Sequence, residues 1–128
     1  MRRLLWIPIF LLIACNGKQS DYRKAEDAMD AGREYINACL QGDFSKAAWY
    51  ALPGEKSEQV IKALEKTYRE KDKEGRQQLR TASINVSEIR DLTDSTTHIQ
   101  YNNSFDKQPH TLFVVRRNGN WLVDLSKN

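Results

Sequence analysis

Leu112-Phe113-Val114-Val115-Arg116-Arg117-Asn118-Gly119-Asn120-Trp121-Leu122-Val123-Asp124-Leu125 decides the fold class. Asn118-Gly119 between two apolar runs is the strongest short hairpin signal, because a two-residue type I′ turn needs positive φ twice. Counting outward from the turn pairs Arg116 with Trp121, Val114 with Val123 and Leu112 with Leu125 on one face. The other face carries Val115 with Leu122 and Phe113 with Asp124. Both faces are apolar near the middle, which predicts a hairpin that is central in its sheet or covered on both sides. Arg116 beside Trp121 fits a structural cation–π pair.

Two more strands precede the hairpin. Ala82, Ile84 and Val86 alternate with Ser83, Asn85 and Ser87, and Thr97, Ile99 and Tyr101 alternate with His98, Gln100 and Asn102. Arg90–Asp94 reads as the turn between them. The third and fourth strands are Gln108–Arg117 and Trp121–Leu125.

Before Gly75 the period is helical. Ala25, Ala28, Met29, Gly32, Tyr35, Ile36, Cys39 and Leu40 form one apolar stripe, predicting a helix over Asp21–Leu40 capped by Ser20 or Asp21 and stopped by Gly42. The small residues Ala28 and Gly32 predict a close neighbour on that face. Asp43 caps a second helix, Phe44–Leu52, ended by Pro53-Gly54. Ser57 opens a third, with Val60, Ile61, Leu64 and Tyr68 inward. Arg69–Glu74 alternates in sign and reads as its solvated end. Helices followed by antiparallel strands give an α+β domain, residues 21–128, with helices packed on one face of a curved sheet of four strands or more.

The N-terminus carries the address. Met1-Arg2-Arg3 is followed by an apolar run, Leu4–Ala14, and then Cys15. The run spans roughly 16 Å as a helix at about 1.5 Å per residue, whereas a bilayer core needs about 20 apolar residues. It fits a secretory signal, residues 1–14. Leu12-Ile13-Ala14-Cys15 resembles the bacterial lipobox, which implies a diacylglyceryl thioether on Cys15 and cleavage just before it. Several acyl chains retain a protein far better than one, at about 0.8 kcal/mol per buried CH₂. Residues 15–20 are then the lipidated cysteine and a polar tether. By analogy with the enterobacterial sorting rule, Asn16 favours the outer membrane of a bacterial cell envelope.

Composition agrees with one globular domain: 128 residues, 40% hydrophobic and 29% charged. The net charge of +3 includes Arg2 and Arg3, so a chain cut before Cys15 is nearly neutral and gives no electrostatic case for nucleic acid.

Ala38-Cys39-Leu40-Gln41-Gly42-Asp43-Phe44, with Ala47 and Tyr50 on the next helix and Arg117-Asn118-Gly119-Asn120-Trp121-Leu122-Val123 at the end, resembles the nuclear transport factor 2-like fold over roughly residues 22–126. Within it, the chain is similar to a family of small bacterial lipoproteins bearing a domain of unknown function. The resemblance implies a cone whose sheet and long helix enclose a space that is catalytic, ligand-binding or filled by side chains. It also allows a homodimer through the sheet.

Enzymes of this fold place carboxylates, Tyr or His inside the cone, which makes Asp124 and Tyr68 the catalytic candidates for an isomerase- or cyclase-like alternative. His98 falls on the polar side of its strand and is expected in solvent. No residues match a known catalytic set. His98 and His110 with one remaining thiol lack the spacing of a metal site, and no metal or cofactor is expected. Cys39, on an apolar stripe, reads as a small buried hydrophobe. Asp94-Ser95-Thr96 resembles a short bacterial O-glycosylation site at Ser95. The principal expectation is a non-enzymatic, lipid-anchored protein that binds a small apolar ligand or an envelope partner in a pocket lined by Met29, Trp49, Tyr68 and Phe113. A filled cone acting as a structural or inhibitory module is the other alternative.

Overall fold

The computed structural model describes residues 22–127. The expected signal segment, Cys15 and the tether through Ser20 lie outside the described residues. Four helices, α1 (Ala28–Gln41), α2 (Phe44–Trp49), α3 (Glu55–Glu70) and α4 (Lys73–Arg80), precede four strands, β1 (Ile84–Thr93), β2 (Thr96–Asn103), β3 (His110–Arg117) and β4 (Asn120–Val123). A 3₁₀ turn over Leu125–Lys127 follows. The strands form one antiparallel sheet in the order β1-β2-β3-β4, and α1 lies across one face of it.

The hairpin register is the one counted from Asn118-Gly119: Val114 pairs with Val123, Val115 with Leu122 and Arg116 with Trp121. Asn118 and Gly119 both have positive φ, 51° and 75°. The Arg116 guanidinium lies 5.8 Å from the Trp121 ring. The hairpin is not central, however, because β4 is the last strand. Its free edge is instead occupied by the chain leaving α2. The Val123 amide donates to the Tyr50 carbonyl at 2.7 Å, and the Leu52 amide donates to the Val123 carbonyl at 2.8 Å. Tyr50–Leu52 therefore leaves the helix expected to run through Leu52 and pairs Val123 at the end of an edge that would otherwise carry unpaired groups there.

Helix α1 begins at Ala28, later than the apolar stripe implies. Asp27 caps it by accepting from the Asp30 amide at 2.7 Å. The preceding residues are tied down instead: the Tyr50 hydroxyl donates to the Arg23 carbonyl at 2.7 Å, and Arg23 pairs with Asp30 at 2.5 Å. That guanidinium holds the Asp30 carboxyl below its usual range, burial acting in the opposite sense and the Glu26 amide adding to the lowering. The stripe misleads because Ala25 is buried without being helical.

Two other elements differ from expectation. Asp72 accepts from the Gly75 amide at 2.7 Å and starts α4, so Gly75 lies inside a helix rather than before a strand. Only half-buried Leu79 joins α4 to the core, leaving no apolar stripe to read. Strand β1 continues through Arg90–Thr93, and the turn is Asp94-Ser95. A bulge between Val86 and Glu88 shifts the side-chain parity by one residue, so Ile89 pairs with Ile99 on the face of Ile84 and Val86. The Ser87 hydroxyl donates to the Gln100 carbonyl at 3.1 Å within this bulge.

Gly42 ends α1 in the left-handed region at φ 74°, its amide donating to the Cys39 carbonyl. A Cβ there would come within 2.5 Å of the Tyr68 ring. Gly42→Ala is expected to lower stability by about 1–2 kcal/mol from the left-handed backbone alone, and further through the collision with Tyr68. Urea unfolding checks this: the midpoint falls at unchanged slope, and the loss is smaller in a Tyr68→Ala background. An unchanged midpoint would contradict it.

Candidate functional site

The helix face toward the sheet is lowest at Gly32, with Ala28, Tyr35 and Ile36 buried around it, and a Cβ on Gly32 would lie 2.9 Å from Ile99 Cδ1 and 3.8 Å from Leu112 and Val114. The backbone of α1 thus rests on β2 and β3 at Gly32, where the space between them is closed by packing. The depressions lie elsewhere, and each is open to solvent.

The first, about 610 Å³, is at the mouth between the start of α1 and the far end of the β1–β2 hairpin. Met29, Ile89, Leu92 and Trp121 supply its apolar wall, and Asp27, Asp91 and Asp94 its carboxylates. It lies beside the start of α1 at Ala28, and Ile89 and Leu92 in its wall are each 49% exposed. The Asp91 carboxylate is fixed by the buried Thr97 hydroxyl, which donates to it at 2.8 Å.

A second depression, about 520 Å³, runs along the edge of β4 between Lys24, Trp49, Pro53, Trp121 and Leu122. Trp49 is 47% exposed, with the Tyr22 ring 6.2 Å away. A third, about 280 Å³, lies at the other end of α1 among Cys39, Phe44, Leu64, Tyr68, Phe105 and Asp106.

The expected ligand residues are therefore not brought together. Met29 lines the mouth, Trp49 the edge groove and Tyr68 the rear cleft. Phe113 lies on the sheet face away from α1, 5.0 Å from the His98 ring, with the Lys127 ammonium 5.6 Å above it. His98 is half-buried by that contact rather than fully in solvent. Periodicity identifies the face a side chain occupies but not which end of the helix or sheet it reaches.

Neither catalytic candidate meets an acid–base partner. Asp124 is buried, and its carboxylate accepts from the amide and hydroxyl of Ser126, which turns the chain into the final 3₁₀ segment. Tyr68 packs edge-on against Phe44 at 5.7 Å, and its hydroxyl accepts from Arg80 at 3.0 Å. Ser95 is exposed at the β1–β2 turn.

A cluster that sequence reasoning did not assemble sits behind the rear cleft. His110 Nε2 contacts Asp106 Oδ2 at 2.7 Å, and the His110 ring stacks on Tyr101 at 5.1 Å. Burial raises the Asp106 carboxyl, but the Gln108 amide and the His110 contact outweigh it and hold the group below its usual range. Burial pushes the Cys39 thiol up to about 11, the Tyr35 hydroxyl acting in the opposite sense. Burial likewise raises Tyr35 and Tyr101 above the usual phenol range. At neutral pH the thiol and both phenols are protonated, and a thiol is a poor nucleophile in that form. Asp106 was missed because it lies in the β2–β3 loop, which carries no periodic signal. Among the described residues, no group of three or more His, Cys, Asp or Glu is placed to hold a metal ion.

Helices on one face of a four-stranded antiparallel meander match a solved structure, an NTF-2-like protein of unknown function from Shewanella oneidensis MR-1. The match has a TM-score of 0.53 at 14% identity and covers 74% of this chain and 89% of that one. The fold is nuclear transport factor 2-like. Comparison with protein-family models and with curated proteins finds no match. No helix among the described residues is long and apolar enough to cross a membrane.

The raised thiol has a direct consequence. In a Cys15→Ser chain, where Cys39 is the one thiol left, Ellman's reagent at pH 8 is expected to label the folded protein far more slowly than the urea-unfolded protein. Equal rates would contradict a half-buried, protonated Cys39.

Proposed function

We propose that this chain is a non-enzymatic lipoprotein of the bacterial cell envelope, held in the outer membrane through Cys15, that binds the apolar part of a small ligand or partner protein at the mouth. Leu12-Ile13-Ala14-Cys15 behind a short apolar run supports the anchor. Binding rests on one observation: Ile89 and Leu92, both about half exposed, flank the same open depression as Met29 and Trp121. Soluble domains seldom leave large aliphatic side chains grouped in water without a binding purpose. Asp27, Asp91 and Asp94 around that wall repel anions, so the favoured ligand is neutral or cationic and not a free fatty acid. A binding rather than catalytic role fits side chains that meet structural partners: Asp124 with Ser126, Tyr68 with Arg80, and Cys39 as a protonated thiol.

Native mass spectrometry of protein purified from its own envelope tests both halves. The expected product begins at Cys15 and carries the mass of a diacylglyceryl thioether. Cys15→Ser lacks that mass and leaves the membrane fraction. A co-purifying ligand, present with the parent chain, is lost in Leu92→Asp. An unmodified Cys15, or a Cys15→Ser chain still pelleting with membranes, would overturn the anchor.

A further inference from the structure

The edge groove differs from the mouth in its charge. Its walls are Ala48, Trp49, Pro53, Trp121 and Leu122, and the one charged residue lining it is Lys24, with no carboxylate. Trp49 is about half exposed beside Tyr22. Trp and Tyr with a neighbouring Lys form the composition that settles at a membrane interface, the rings at headgroup depth and the ammonium against phosphate.

The groove also lies where the chain enters the domain. Lys24 and Ala25 form part of its wall, and Tyr22 stands 6.2 Å from Trp49. Seven Cα steps separate Cys15 from Tyr22, at most about 25 Å when fully extended at about 3.6 Å each. A domain of this size is itself about 30 Å across. A cysteine fixed in a leaflet would therefore keep the Tyr22 side of the domain toward the lipid.

We propose that the Trp49 groove is a membrane-docking surface, seated on the anionic phospholipid headgroups of the leaflet that holds the anchor. This rests on the lipid-anchored reading above. Docking turns the Trp49 edge to the lipid and gives the mouth a fixed orientation for ligand or partner.

The test uses the full acylated protein in vesicles of phosphatidylethanolamine and phosphatidylglycerol, with and without lipid spin-labelled near the headgroup. Trp121→Phe leaves Trp49 as the tryptophan reporter of the mature chain, and circular dichroism checks its fold. Docking predicts that spin-labelled lipid removes most of the Trp49 emission, while aqueous acrylamide removes little. Lys24→Gln is expected to lower the ratio of docked to undocked protein about fivefold. Protein that floats with the vesicles while Trp49 is quenched by acrylamide and not by lipid would overturn docking and leave the anchor standing. Trp49 shielded from both quenchers, with Trp49→Cys cross-linking two copies, would assign the groove to self-association and also overturn it. Protein that fails to float would overturn docking and anchor together.

Discussion

The contact on which the rest of the structure depends is the close approach of α1 to the sheet at Gly32. A methyl group at that position would come within 2.9 Å of Ile99. At this point backbone rather than a side chain meets Ile99, Leu112 and Val114, while Tyr35 and Ile36 are buried on the same helix. Each fully buried Ile, Leu or Val contributes about 1.5–3 kcal/mol, and Ile99, Val114, Val123 and Leu125 are almost completely buried. A helix drawn this close leaves no room for a ligand beneath Gly32.

That constraint decides where function can reside. With the centre closed, apolar surface remains at the mouth, along the β4 edge and behind the C-terminal end of α1. The first two differ in charge: carboxylates surround the mouth, and a single Lys lines the edge groove. On the proposed reading, one depression receives a neutral or cationic partner and the other faces an anionic leaflet. Trp121 borders both, held under the Arg116 guanidinium. The strap of Tyr50–Leu52 pairs Val123 at the end of the β4 edge and positions Trp49 beside it.

Much of this architecture was legible in the residues. Asn118-Gly119 fixes a register because a two-residue turn leaves no freedom in the count, and Gly42 ends α1 because its backbone is left-handed. The errors have equally local causes. The bulge after Val86 shifts strand parity by one, which makes Arg90–Asp94 resemble a turn. Asp27 out-competes earlier caps because Arg23 and Tyr50 hold the preceding segment away from helix. Helix α4 has an N-cap but almost no apolar face. The site was less legible than the fold. Met29, Trp49, Tyr68 and Phe113 were grouped by chemical type, whereas their separation along α1 and across the sheet depends on tertiary geometry. The Asp106–His110 contact needed the loop's three-dimensional course.

The most direct test of a closed interior is a crystal structure of the protein under xenon pressure, since xenon enters apolar voids that ordinary ligands do not reveal. No xenon is expected between Gly32 and Ile99, Leu112 or Val114, and any bound atoms are expected in the outer depressions. A well-occupied xenon site between Gly32 and these residues would contradict the account, because it would open space where the Gly32 contact leaves none.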